Sequence, residues 1–164
     1  MARREREIRA TLRPSILDRL LDDDPRTTHE PPLSLPEASR IIMAAVRRDL
    51  EWLLNTRTTW IDDVRTAMEY TSRSIAVYGL PDFSHENMKN ADARLRFKRR
   101  IEHALEVFET RLHRVVVTPG EVGESERRFS FRIEAVLQVD PVREQVTFDA
   151  EVESNGVAKI REAF

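Results

Sequence analysis

The chain has no cysteine, only four glycines and no long apolar run, and each shortage excludes a class of protein. Without cysteine there are neither disulfides nor thiolate zinc sites. The scattered glycines form neither of the glycine-rich patterns that bind nucleotide phosphates. No apolar stretch approaches the roughly 20 residues of a membrane-spanning helix, and the charged N-terminus lacks the apolar segment of a secretory signal. We therefore expect a cytoplasmic protein that is not inserted in a membrane.

Residue types that carry out chemistry are present, but their spacing does not favour it. No two of the four histidines lie three or four residues apart, so the sequence offers no helical metal-binding pair. Glu102, Glu106 and Glu109 share one helix face, whereas a glycosidase needs two carboxylates across a cleft. We interpret these glutamates as a solvated, ion-paired face. We expect neither enzymatic activity nor a bound metal or cofactor.

Basic residues are concentrated between Arg94 and Arg100, which raises the question of nucleic acid. Glutamates follow one helical turn later, and the net charge of the chain is only -2. A groove that stacks bases would also need exposed aromatic side chains, which this helix does not supply. We therefore interpret the cluster as a solvated helix face and expect no nucleic-acid partner.

Composition divides the chain into an arm, one domain and a tail. Residues 1–33 combine a proline-rich linker with a short apolar set at helical spacing, and we interpret them as a mobile arm with a docking turn at Ser15–Leu21. A plain disordered tail is the alternative for this arm. Residues 34–153 have the length of a single domain. Residues 154–164 are interpreted as a turn followed by a tail.

Two amphipathic helices are predicted within the domain. Ser34 and Glu37 have the spacing of a capping box, and apolar residues then recur every three or four positions. We expect the first helix over residues 35–54, with Asn55 as a left-handed terminating residue. The second helix is expected over residues 91–111. Its apolar face comprises Phe97, Ile101, Ala104, Leu105, Phe108 and Leu112.

The apolar period changes to two after the second helix, which indicates strands. The first strand is expected over residues 114–118 and is followed by a loop that begins at Pro119. Alternation then predicts strands over 129–137 and 146–152, each with one apolar and one polar face. Between the helices, Ser74–Val77 is expected as a short helical or extended piece. The predicted class is α+β, with helices covering one face of a three-stranded antiparallel sheet.

Several stretches in order resemble the TssE family, the baseplate subunit of type VI secretion systems. They read SILDRLLDDDP, DLEWLLNTR, SIAVYGLPDFS and FETRLHRVVV, and the pairing of LLNTR with a later YGLPD is the most specific part. That family is related to the small wedge protein of contractile-phage baseplates and carries an older lysozyme-like label. The resemblance implies a structural subunit at the cytoplasmic face of the inner membrane. It would join the TssF and TssG wedge subunits and help to start polymerisation of the TssB–TssC sheath.

The family's Glu-Pro-Arg signature, which serves wedge assembly, corresponds here to Glu109, Thr110 and Arg111. Two residues apart at a helix-to-strand junction, the two charges can diverge, one to a partner and one to the scaffold. We also expect Arg57 in the same neighbourhood, where its guanidinium would offer bidentate recognition of a carboxylate. An ordinary exposed pair that holds the junction is the alternative. The predicted partner-binding residues are Glu109, Arg111, Asn55, Thr56 and Arg57.

The resemblance also implies that this protein offers the incoming sheath subunits a sheath-like strand template. A sheet edge with unpaired backbone groups accepts an added strand, and we expect that edge within 129–137 or 146–152. Two other functions stay open at this point. One is a peptidoglycan-cleaving, lysozyme-like enzyme, and the other is a small regulatory adaptor on the same fold.

Overall fold

The computed structural model describes residues 15–20, 34–58, 70–83, 86–122, 129–139, 142–152 and 157–163. Along these ranges the helices are α1 (Ile16–Leu20), α2 (Leu35–Asn55) and α3 (Ala91–Phe108). The strands are β1 (Leu112–Val122), β2 (Phe129–Val139), β3 (Val142–Val152) and β4 (Ala158–Glu162). Helices followed by one antiparallel sheet confirm the predicted α+β class.

The predicted N-terminal arm is described over a short part of its length. Within the segment predicted as a docking turn, Ser15–Leu21, the structure has the short helix α1, Ile16–Leu20. The remainder of the predicted arm, residues 1–14 and 21–33, lies outside the described residues. Between α2 and α3, the expected short piece at Ser74–Val77 is a 3₁₀ turn over Ile75–Val77, and Val77 is fully buried.

Helix α2 begins where the capping box predicts. The Ser34 N–H donates to the Glu37 carboxylate at 2.9 Å, so the backbone group before the first turn has a partner. The helix includes Asn55, and the residue after it, Thr56, has extended backbone angles. The predicted left-handed Asn55 is therefore wrong. Its side-chain amide instead pairs with the backbone of Ala158 in β4, at 2.9 and 2.7 Å.

The sheet has four strands in the order β1-β2-β3-β4, so the predicted three-stranded sheet is wrong. The fourth strand lies within the predicted tail, residues 154–164, and pairs with β3 from Val152↔Ala158 to Phe148↔Glu162. Its apolar alternation consists of Ala158 and Ile160, both buried. Two apolar residues in five are too few for the period-two pattern to be recognised in the sequence.

The junction from α3 to β1 differs from the prediction at both ends. Helix α3 ends at Phe108 rather than at residue 111, and β1 runs on to Val122 through the predicted loop at Pro119. Two register shifts bend β1, and Arg114 at the first has a positive φ of 55°. Pro119 is tolerated because β1 is an edge strand, where a missing N–H breaks no ladder bond.

The core lies between the sheet and the two long helices. Helix α3 contacts β1 most closely, whereas α2 contacts β4, the strand at the opposite edge of the sheet. Phe97 of α3 is central, because its ring meets Phe83, Phe129 and Phe131 edge-on at centroid distances of 4.7, 5.0 and 5.4 Å. The predicted inward residues of β2 are confirmed as buried: Phe129, Phe131, Ile133, Ala135 and Leu137.

Both outer edges of the sheet receive side chains from the helices. On β1, the Val117 N–H donates to the Glu102 carboxylate at 2.9 Å. On β4, Glu51 accepts from the Ile160 N–H at 3.1 Å, beside the Asn55–Ala158 pair. The segments 129–137 and 146–152 lie in the central strands β2 and β3, so the predicted template edge is wrong.

The LLNTR and YGLPD stretches pair with each other. Arg57 and Leu80 form a parallel bridge, in which the Leu80 N–H donates to the Thr56 carbonyl at 2.9 Å. Gly79 makes this approach with a φ of 106°, and a Cβ there would lie 2.4 Å from the Thr56 oxygen. The spacing of the two stretches therefore reflects a backbone contact that requires glycine.

We predict that Gly79→Ala lowers the free energy of unfolding by about 1–3 kcal/mol, through left-handed backbone strain and the clash with Thr56. Urea denaturation of the purified protein measures this. Ala76→Ser, at an exposed position in the same segment, should change stability by less than about 0.5 kcal/mol. Equal stability of the two variants would contradict the proposed close approach.

Candidate functional site

The residues of the family signature lie in the turn between α3 and β1. Glu109 is the C-cap of α3, and its N–H donates to the Leu105 carbonyl at 2.9 Å. Its own carbonyl accepts from the Leu112 N–H at 3.1 Å, which turns the chain into β1. Thr110, at the position of the family proline, is exposed at the tip of this turn.

Glu109 is 5% exposed and accepts hydrogen bonds from Arg111 on both carboxylate oxygens. Its Oε1 accepts from the Arg111 backbone N–H at 3.1 Å and from Nε at 2.7 Å, and its Oε2 accepts from Nη2. The predicted divergence of the two charges is wrong, because the tight turn folds the Arg111 side chain back over the helix end. The predicted solvation of Glu109 is also wrong.

Arg111 also binds a residue that is distant in the sequence. Its Nη2 donates to Asp49 Oδ2 of α2 at 2.6 Å, across a separation of 62 residues. Asp49 Oδ1 accepts from Arg48 at 3.1 and 2.9 Å, and Arg48 in turn meets Asp18 of α1 at 2.7 Å. We name this set the charge cluster: Asp18, Arg48, Asp49, Glu109 and Arg111.

The charge cluster raises the pKa of Arg111 above its ordinary value. Burial alone would lower the pKa of the guanidinium, but hydrogen bonds and charges from Glu109 and Asp49 outweigh burial and raise it. For Asp18, burial would raise the pKa of the carboxyl, and the bonds from Ser15 and Arg48 lower it instead. With three carboxylates against two guanidinium groups, the cluster carries one excess negative charge.

Two grooves lie against the signature turn, and Thr110 and Arg111 line both. The first, of about 380 Å³, has Trp52, Tyr78 and Phe108 in its wall. Burial raises the pKa of the Tyr78 hydroxyl, and the charges of Asp49 and Glu109 raise it further. The second, of about 300 Å³, is lined on its apolar side by Ile41, Ile42, Ala45 and Val139.

The predicted residues at the end of α2 have intramolecular contacts. Asn55 holds β4, as described above. The Thr56 hydroxyl donates to the Trp52 carbonyl at 2.7 Å, and the Arg57 guanidinium donates to the Leu54 carbonyl at 3.1 Å. These bonds close the helix end. A partner-binding role for the three residues stays a prediction.

Sequence reasoning missed Asp49, Arg48 and Asp18. Asp49 opens the stretch DLEWLLNTR, which contributes to the resemblance, but the sequence assigned it no role. No local pattern links it to Arg111, because the two residues meet through the packing of α2 against the α3–β1 turn. A charged residue bordering a core face is a weak signal that becomes informative when its partner is known.

Three further features were considered in the sequence: metal ligands, membrane-spanning helices and the basic helix face. Within the described ranges, no group of three histidine, aspartate or glutamate side chains is placed to hold a metal ion. The helices in those ranges are too short or too polar to span a bilayer. Lys98 and Arg100 of the basic helix face are paired with Glu102 and Glu86.

These features define a class of protein: a small α+β domain with a partly buried ion-pair cluster between two surface grooves. Residues 42–142, more than half of the chain, match the family described as baseplate wedge protein gp25. The chain belongs to this family, which confirms the resemblance to TssE as a baseplate subunit of this type. No curated protein matches the chain. The matched segment contains every residue of the charge cluster except Asp18.

We predict that Arg111→Ala lowers the free energy of unfolding by about 3 kcal/mol, because it leaves Glu109 buried without a partner. The value is at the lower end for such losses, since the Arg111 side chain keeps 23% exposure. Urea denaturation provides the measurement. Arg132→Ala is the matched control, because it breaks the exposed pair with Asp149 and should cost clearly less. Equal losses would argue against a structural role for the cluster.

We predict that Tyr78 titrates above the usual tyrosine pKa of about 10. Absorbance titration of a Tyr70→Phe variant isolates Tyr78, since the chain has two tyrosines. Because the unfolded chain ionises first, stability falls as pH rises from the ordinary pKa through the raised one. Adding Asp49→Asn should lower the Tyr78 pKa, whereas Asp149→Asn on the sheet should not. An ordinary Tyr78 pKa would refute this account of the groove.

Proposed function

We propose that the protein is a type VI secretion baseplate subunit that joins the TssF and TssG wedge subunits. In this role it acts at the cytoplasmic face of the inner membrane and helps to start polymerisation of the TssB–TssC sheath. The observation that carries the proposal is the signature pair Glu109–Arg111, which lies between two grooves in a chain of the baseplate wedge family.

The pair acts in this proposal by shaping the docking surface. Glu109 is too buried to be offered to a partner, and its two oxygens are occupied by Arg111. By tying α2, α3 and β1 together, the charge cluster presents Thr110 between the grooves. A wedge subunit then contacts the exposed turn and the groove walls. Arg57, whose backbone is held by Leu80, is a further contact at the end of α2.

To start the sheath, the protein would offer an edge of its sheet, to which a strand of a sheath subunit would be added. A strand added at β1 would have to replace the bond from Val117 to Glu102, and a strand added at β4 would have to replace Asn55 and Glu51. Initiation is therefore expected to follow wedge assembly, since an edge occupied by side chains is protected from premature strand pairing.

A peptidoglycan-cleaving role has weaker support. A general acid must give a proton to the leaving group, and Glu109 has both oxygens engaged as acceptors for Arg111. The family is that of a structural baseplate protein. Peptidoglycan turnover by the pure protein that is lost in Glu109→Gln would favour the enzyme. An adaptor would co-purify with regulatory proteins in place of wedge and sheath subunits.

Co-expression of this chain with TssF and TssG from the same genome, followed by size exclusion, tests the proposal. We expect a ternary complex, and a chain that elutes alone would refute the proposal. Thr110→Glu should prevent the complex while leaving the monomer folded, because Thr110 is exposed. Ala91→Glu makes the same charge change at the other end of α3, roughly 25 Å away, and should assemble normally. Normal assembly of Thr110→Glu would exclude the signature turn as the docking surface.

A further inference from the structure

Helix α1 points its acidic residue inward and its apolar residues outward. The Asp18 side chain is 10% exposed and meets Arg48 at 2.7 Å. In contrast, Ile16, Leu17 and Leu20 are 77%, 45% and 75% exposed. Water favours the opposite orientation, in which an amphipathic helix buries its apolar stripe. Burial of its own apolar side chains therefore does not explain the position of α1.

Polar contacts hold this turn of helix in shape. Ser15 accepts from the Asp18 N–H at 3.2 Å and donates its hydroxyl to the Asp18 carboxylate at 2.6 Å. Arg48, which forms the ion pair with Asp18, also lies 4.9 Å from the ring centroid of Trp52. The result is a short helix that is preformed, oriented by one ion pair, and apolar on its outer side.

We infer that α1 is a docking helix whose Ile16, Leu17 and Leu20 insert into an apolar groove on a wedge subunit. This inference rests on the proposed function and names a second part of the same interface. Leu20 lies three positions after Leu17 and four after Ile16, which is the anchor spacing typical of helix-in-groove recognition. The Asp18–Arg48 pair sets the direction in which these anchors project.

A concave surface on another subunit fits α1 better than a second copy of this chain. Three side chains on one turn supply far less than the roughly 800 Å² per partner of a stable dimer. A groove, by contrast, encloses all three anchors. Ser15 lines both grooves at the signature turn, so one partner can cover α1 and that turn together. The excess negative charge of the cluster predicts a basic residue at the rim of the partner's groove.

The test compares variants of the full chain in the wedge-subunit complex described above. Ile16→Asp with Leu20→Asp should weaken complex formation at least tenfold and leave thermal unfolding unchanged, because both side chains are exposed. Ile16→Leu with Leu20→Ile should keep binding, since it conserves apolar volume. Ile75→Asp is the matched control: Ile75 is 89% exposed outside α1 and should not affect binding.

The outcomes separate this inference from the proposed function. If the wild-type chain forms the complex and the double aspartate variant forms it equally well, the docking helix is refuted and the proposed function still stands. Loss of binding by Ile75→Asp as well would overturn it too, because the effect would not belong to α1. If the wild-type chain is a dimer and the double variant is a monomer, α1 binds a second copy of this chain, and the inference is refuted. Absence of any wild-type complex would overturn both.

Discussion

The bridging of Glu109 and Asp49 by Arg111 is the interaction on which the arrangement of the domain depends. One guanidinium joins the end of α3, the start of β1 and the middle of α2. Taking these charges out of water is costly, and the arrangement is stable because Arg111 has a hydrogen-bonding partner on each side. The same bridge positions the exposed Thr110 turn between two grooves, so the stability of the domain and the proposed docking surface would have a common origin.

The sheet is completed by the same strategy of placing polar side chains from helices at defined points. Glu102 satisfies a backbone N–H on β1, while Glu51 and Asn55 satisfy backbone groups on β4. These contacts cost the helices little, because each residue lies where its helix borders a strand. A strand that added at either edge would have to displace these side chains.

Periodicity predicted the regular parts of the fold well. The capping box at Ser34 located the start of α2, and strict alternation identified the buried face of β2. It failed where regularity was short or interrupted. β4 contains only two buried apolar residues, so its alternation was not recognised. Pro119 was interpreted as the start of a loop, so the second half of β1 was not predicted as a strand. Glu109 and Arg111 were predicted as site residues from the resemblance, and their pairing appeared there only as the alternative. Asp49 was missed, since its contact with Arg111 does not follow from spacing along a helix.

By itself the sequence determined the α+β class, the core faces of the long helices and the absence of any disulfide. These properties depend on composition and on the periodicity of apolar residues, both of which can be read from residues close together in the sequence. Tertiary structure alone decided that Arg111 meets Asp49 across 62 residues, that Asn55 binds β4 instead of ending a helix, and that Gly79 admits Thr56. Such contacts form when separate elements pack together. The sequence around a guanidinium or an amide does not indicate which distant residue it will bind.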